Sequence, residues 1–255
     1  MEPARPTVVL VHGAWQGPWV WDEVRRYLDF AWIASATVAL PSVGEDTGKL
    51  GGLADDVAAV SAVLDELSGP FVLVGHSYSG VPVTEVAAAR EDVTHVVYVC
   101  AFAMPAGTSM LDALGGQPPE WWIFAEDGES IMPDNPGALL FSECAPAVAN
   151  GAIARLCPHS ARSVREPLRA AGYGEKPATY VISERDAILS ANVAGGVAAL
   201  AQATTISLDS DHHPMLSRPA ERRFVLTGRA GADARGQARY GADWQGVGDS
   251  WSGTG

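Results

Sequence analysis

Positive charge is scarce in this chain: 17 lysines and arginines face 30 aspartates and glutamates, a formal net charge of −13. That balance argues against a nucleic-acid or anionic-membrane surface as partner. Long apolar runs are missing as well. The longest, Val96 to Met104, falls well short of the ~20 residues a membrane span needs and reads as a central strand. Met1-Glu2-Pro3-Ala4-Arg5-Pro6 leads straight toward a strand, with no secretory h-region. Cysteine is sparse too. Cys100, Cys144 and Cys157 have no metal-ligand spacing and cannot all pair, so they are expected as buried thiols in a reducing, cytoplasmic compartment. No metal site and no cofactor is implied, and there are no internal repeats. Two lysines against fifteen arginines suggest a high-GC bacterial gene. What the chain does have is 255 residues, 47% of them hydrophobic, enough for one domain with a substantial core.

The most informative stretch is Gly75-His76-Ser77-Tyr78-Ser79-Gly80. It follows the apolar run Phe71-Val72-Leu73-Val74 and precedes a helix-like stretch from Val81 to Ala89. Strand, sharp turn carrying a serine, then helix is the context of a nucleophile elbow. Gly75 is the small residue two before the serine, where a side chain would collide with the turn. At the position two after it stands Ser79 instead of glycine, read here as the next smallest choice, a placeholder. Near the start, Thr7-Val8-Val9-Leu10-Val11 runs into His12-Gly13-Ala14-Trp15. This strand entering His-Gly resembles the place where α/β-hydrolases form half of an oxyanion hole, the other half being the amide after the serine. An acyl-transfer oxyanion needs such preorganised donors. The two amides are expected from Ala14 and Tyr78, with Gly13 permitting close approach and His12 bonding to its own loop.

An acid and then a histidine should follow the serine in chain order. Ala178 to Ser183 reads as a strand and is followed by Glu184-Arg185-Asp186. Thr204 to Leu208 is another, followed by Asp209-Ser210-Asp211-His212-His213-Pro214. Asp186 and Glu184 are rival acids. Asp209 and Asp211 lie too close in sequence to orient an adjacent imidazole and suit a loop cap. His212 and His213 are rival bases, while His76 and His95 read as structural, next to or inside strands, and His159 lies in a variable insert.

Taken together, these segments resemble the α/β-hydrolase superfamily, within it the small esterases grouped with plant methylesterases and hydroxynitrile lyases. The matching stretches are Val9 to Trp15, Leu73 to Ser77, Val97 to Pro105 and Asp211 to Glu221. The resemblance implies Ser77 as nucleophile, His212 in the place of the family's histidine and Asp186 in that of its acid. It also implies a mostly parallel, doubly wound sheet with a helical cap. The hydroxynitrile lyases would call for threonine at Gly13 and lysine at His213, so Gly13 favours an esterase.

The patterning predicts a core over residues 1–104 and 177–227, a helical cap over 105–176 and a disordered tail over 228–255. Trp15, Phe102, Trp122 and His213 are candidate substrate-binding residues. Trp122 equally suits the insert's own core. Pro214 restricts His213 to extended backbone, which favours a side chain turned away from the site. The expected function is serine hydrolysis of a small ester or lactone. The alternatives are a cofactor-independent lyase, cyclase or decarboxylase, or a small-molecule receptor on the same fold.

Overall fold

Strands without polar alternation, joined through helices, should stack in parallel with both faces covered, and they do. The computed structural model describes residues 5–218 and Glu221. In chain order the core comprises β1 (Thr7–Val11), α1 (Asp22–Phe30), β2 (Ser35–Val38), α2 (Leu53–Asp65), β3 (Phe71–His76), α3 (Gly80–Ala89) and β4 (Val93–Val99). The chain then leaves the core through α4 (Met110–Ala113), β5 (Trp122–Phe124), β6 (Ser130–Pro133), α5 (Pro136–Leu140), α6 (Pro146–Ile153), β7 (His159–Ser160) and α7 (Ala161–Arg165). It re-enters with β8 (Ala178–Ser183), α8 (Ala191–Leu200), β9 (Thr204–Leu208) and α9 (Pro214–Ser217).

Six strands form one parallel sheet in the order β2-β1-β3-β4-β8-β9. Successive residues of each strand serve opposite faces. Val8, Leu10, Val72, Val74, Val97, Val99 and Val181 pack with Val24 and Leu28 of α1 and Met215 of α9. Val9, Val11, Leu73, Tyr98, Tyr180 and Ile182 pack with α2, α3, α8 and the insert. Among the described residues no helix is long and apolar enough to cross a membrane.

The insert is more than helical. Its strands form a second, antiparallel sheet in the order β5-β6-β7. The β5–β6 hairpin turns at Asp127-Gly128, where Gly128 has φ 73°, the left-handed value a tight hairpin demands. Strands of two to four residues are too short to register as alternation, which is why the pattern reading saw only helices. Trp122 sits 5% exposed in the apolar cluster with Ile131, Leu140 and Phe141, so it is packing for the insert. At the edge, Glu143 ties the insert to the core through Arg185 (2.7 Å) and Arg218 (3.2 Å). The expected tail, 228–255, lies outside the described residues.

Candidate active site

Three strand ends carry unusual backbone. Trp15, Ser77 and Cys100, following β1, β3 and β4, have φ of 65°, 54° and 47°. Left-handed geometry costs a non-glycine residue about 1–3 kcal/mol, and such residues concentrate where function requires them. The carboxyl ends of parallel strands are also where open α/β sheets place ligands.

At the elbow, a β-carbon added to Gly75 would lie 2.8 Å from Val83 Cγ2, and one on Gly80 only 2.2 Å from the Phe102 carbonyl oxygen. Phe102 also donates its amide to the Ser77 carbonyl at 3.0 Å. The turn can therefore be this sharp only because both glycines lack side chains. Ser79 is more than a placeholder. Its buried hydroxyl accepts the His76 amide at 2.8 Å and lies 2.8 Å from the Val11 carbonyl, to which it donates, tying the elbow to β1. Ser79→Gly would strand a buried amide, a loss of about 2 kcal/mol, so the melting temperature should fall by about 6 °C. An unchanged melting curve would refute this role.

Asp186 and His212 approach Ser77 from two later loops. The Ser77 hydroxyl donates to His212 Nε2 at 2.9 Å, and His212 Nδ1 donates to Asp186 Oδ2 at 2.7 Å. Asp186 Oδ1 accepts the amides of Ile188 (2.7 Å) and Leu189 (3.0 Å). Burial alone would raise its pKa. The attraction and hydrogen bond of His212, with those two amides, outweigh it and hold the carboxyl below the usual range. Of the rival acids, Glu184 is exposed. Asp209 pairs with Arg185 at 2.6 Å. Asp211 caps its own loop, accepting the amides of His213 (3.1 Å) and Glu143 (2.9 Å).

His213 does not turn away. It is fully buried, with its ring centroid 4.5 Å from that of Phe141 and 4.7 Å from that of His76. Nδ1 donates to the Leu140 carbonyl at 2.7 Å, and Nε2 accepts from the Gln16 side-chain amide. The residue has φ −121° and ψ 65°; the proline restricted this backbone without fixing where the ring points. Burial, then repulsion from His212, pushes its pKa well below normal. It is a neutral tie between the insert, the loop after β1 and the histidine loop.

The loop after β1 passes against Ser77: a β-carbon on Gly13 would lie 2.9 Å from Ser77 Cβ. His12 is locked into this loop, donating to the Gly13 carbonyl at 2.8 Å and accepting the Leu40 amide at 3.1 Å. Burial lowers its pKa to about 4. Ala14 and Trp15 are buried, and the Trp15 indole donates to the Ile131 carbonyl of β6 at 2.9 Å, joining this loop to the insert. Tyr78 is fully buried, and its hydroxyl donates to Asp56 at 2.6 Å.

Sequence reasoning missed Asp56, Ser42, Gln16 and Leu140. Asp56 is one of two acidic residues in the first turn of α2, a place where charge is usually solvated and gives no signal. Here it is fully buried, and burial raises its pKa to about 6. Its effect on folding is therefore favourable in acid and is lost as pH rises through about 6. Cys100, Asp186 and His212 could together fit a metal within 4.8 Å. The carboxylate and imidazole are engaged with each other, however, and burial, then the Asp186 charge, keep the Cys100 thiol protonated. Such a donor set does not fit a metal.

The model of a family described as the alpha/beta hydrolase family matches residues 8–222. Alpha/beta hydrolase nvfD of Aspergillus novofumigatus is 29% identical over 196 residues, covering 71% of this chain and 78% of its own. Among solved structures, methylesterase protein MES16 from Arabidopsis has a TM-score of 0.74 at 20% identity, covering 88% of this chain and 98% of its own. Polyneuridine aldehyde esterase has a TM-score of 0.75 at 18% identity, with the same coverages. At those identities the two structures share this chain's fold.

Proposed function

The chain belongs to the alpha/beta hydrolase family, and from that premise we propose that it is a serine hydrolase of small esters or lactones, acting through an acyl-enzyme. The observation that carries this reading is the unbroken line from the Ser77 hydroxyl to His212 (2.9 Å) and on to Asp186 (2.7 Å). Ser77 attacks the carbonyl while His212 takes its proton and returns it to the leaving alkoxide. Asp186, ionised and held by two amides, fixes the tautomer with the proton on Nδ1 and stabilises the imidazolium. The Ala14 and Tyr78 amides receive the oxyanion, and water activated by His212 completes deacylation. Phe102, whose amide meets the Ser77 carbonyl at 3.0 Å, and Trp15, on the loop after β1, are assigned to the apolar lining of the substrate site, which would suit a neutral acyl group. Ser77, only 5% exposed, suits a small one.

His213 bears on the lyase-like alternative. With both ring nitrogens engaged and its pKa depressed, it offers no cation beside the reacting carbon. Hydrolysis is therefore preferred.

The test is a panel of acyl esters and lactones with mass detection of products, beside treatment with a fluorophosphonate. At least one ester or lactone should be hydrolysed and the phosphonyl group should map to Ser77. Label on another residue, or a panel untouched, overturns the reading.

A further inference from the structure

Tyr78 follows the nucleophile, yet its side chain runs away from the site and ends on a carboxylate. The phenol donates to Asp56 Oδ2 at 2.6 Å, and the other oxygen of Asp56 accepts the Ser42 amide at 3.0 Å. Ser42 in turn accepts the Ser160 amide at 2.8 Å through its carbonyl, so the same network reaches β7 of the insert. The His159 ring closes over Tyr78 with centroids 4.6 Å apart. His159 is held in place by its Nε2 proton, donated to Ser163 Oγ at 2.9 Å.

A fully buried carboxylate is a costly way to join two loops, and an apolar or amide residue usually serves folding better. Its chemistry nonetheless fits this place. Two donors, a phenol and an amide, arrive from opposite sides, one on each oxygen. Only an acceptor on both ends satisfies them, and a carboxylate is acceptor on both. The titratable groups around it are few: Tyr78 itself; Asp55, the neighbour on α2; and His159, which burial keeps neutral by lowering its pKa to about 3. None of these supplies a cation to pair with the charge.

We propose that Asp56 is a positioning residue for the hydrolytic reaction: by gripping the Tyr78 hydroxyl it fixes the residue whose amide receives the oxyanion. The inference rests on the serine-hydrolase reading above. An oxyanion donor works by being immobile before the charge develops, and a ring anchored at its far end by a charge-assisted bond immobilises the backbone that carries it.

The experiment compares Asp56→Asn, Tyr78→Phe and the double variant with the unsubstituted protein, using 4-nitrophenyl acetate turnover, the rate of Ser77 phosphonylation and thermal melting. Each single variant should lower kcat about tenfold with KM nearly unchanged, because the lost interaction matters mainly in the transition state. Phosphonylation should slow in parallel. The double variant should lose no more than either single one, since both break the same bond. Asp56→Asn removes a buried charge but turns an NH2 toward one of the two donors, so the two effects oppose and melting at pH 8 should stay close to that of the unsubstituted protein. A merely structural Asp56 predicts the reverse pattern, with melting changed and kcat intact.

Wild-type kcat in Asp56→Asn, or losses that multiply in the double variant, overturns the proposal. Should Asp56→Asn fail to fold, Tyr78→Phe decides alone, and full kcat there is equally fatal. Failure of the underlying reading looks different: the unsubstituted protein itself would neither turn over esters nor label at Ser77, and the role of Asp56 would fall with it.

Discussion

Ser77→Ala should yield a folded protein whose ester turnover is about 10⁴- to 10⁶-fold lower. In the proposed mechanism the hydroxyl removed forms the acyl bond, and the buried thiol of Cys100, behind the site, cannot replace it because it is kept protonated. Triad members act as a unit, so His212→Ala should cost about as much, and the double variant little more. Folding should survive, because Ser77→Ala removes one hydrogen bond and leaves the apolar packing of the elbow alone. Circular dichroism and single-turnover kinetics on one ester check both halves. Undiminished turnover in Ser77→Ala would remove the triad assignment altogether.

The second large effect concerns a residue with no chemistry. Gly80→Ala places a β-carbon 2.2 Å from the Phe102 carbonyl oxygen and 2.9 Å from Ala101 Cβ. The nearest obstacle is backbone, which cannot rotate aside as a side chain can. Either α3 or the segment after β4 must retreat, and the Phe102 amide then loses the Ser77 carbonyl. Overpacking of this kind typically costs about 3 kcal/mol, which in a domain of this size lowers the melting temperature by about 10 °C. Turnover should fall with it, since the displaced element holds the nucleophile. Wild-type melting in Gly80→Ala would show that the close approach is not a constraint.

The core sheet was legible because its strands announce themselves locally: Ala178 to Ser183 and Thr204 to Leu208 occur as read, and the elbow lies between a strand and a helix. Spacing placed both acids and both histidines just past strands, but it could not orient them. Asp186 faces inward because its own amide closes a turn onto the Ser183 carbonyl at 3.3 Å, leaving Glu184 in solvent. Family resemblance, not periodicity, singled out His212. His213 misled because a rule about backbone was used to aim a side chain. Its direction is set by partners far away in sequence, Leu140 and Gln16. Asp56 and Ser42 were unreadable for the same reason, as their meaning depends on a tyrosine that only the folded chain brings to them.

The position of the insert also orders events in time. Ser77 and His212 are 135 residues apart, and α4 through α7 lie wholly between them. At roughly 5–20 residues per second, a ribosome adds the histidine about 7 to 27 seconds after the serine. During that interval the nascent chain carries the loop after β1 and the Ser77 elbow but not yet His212, the base of the proposed mechanism. On the proposed mechanism, a fragment released early carries the serine without its histidine and should show no ester turnover.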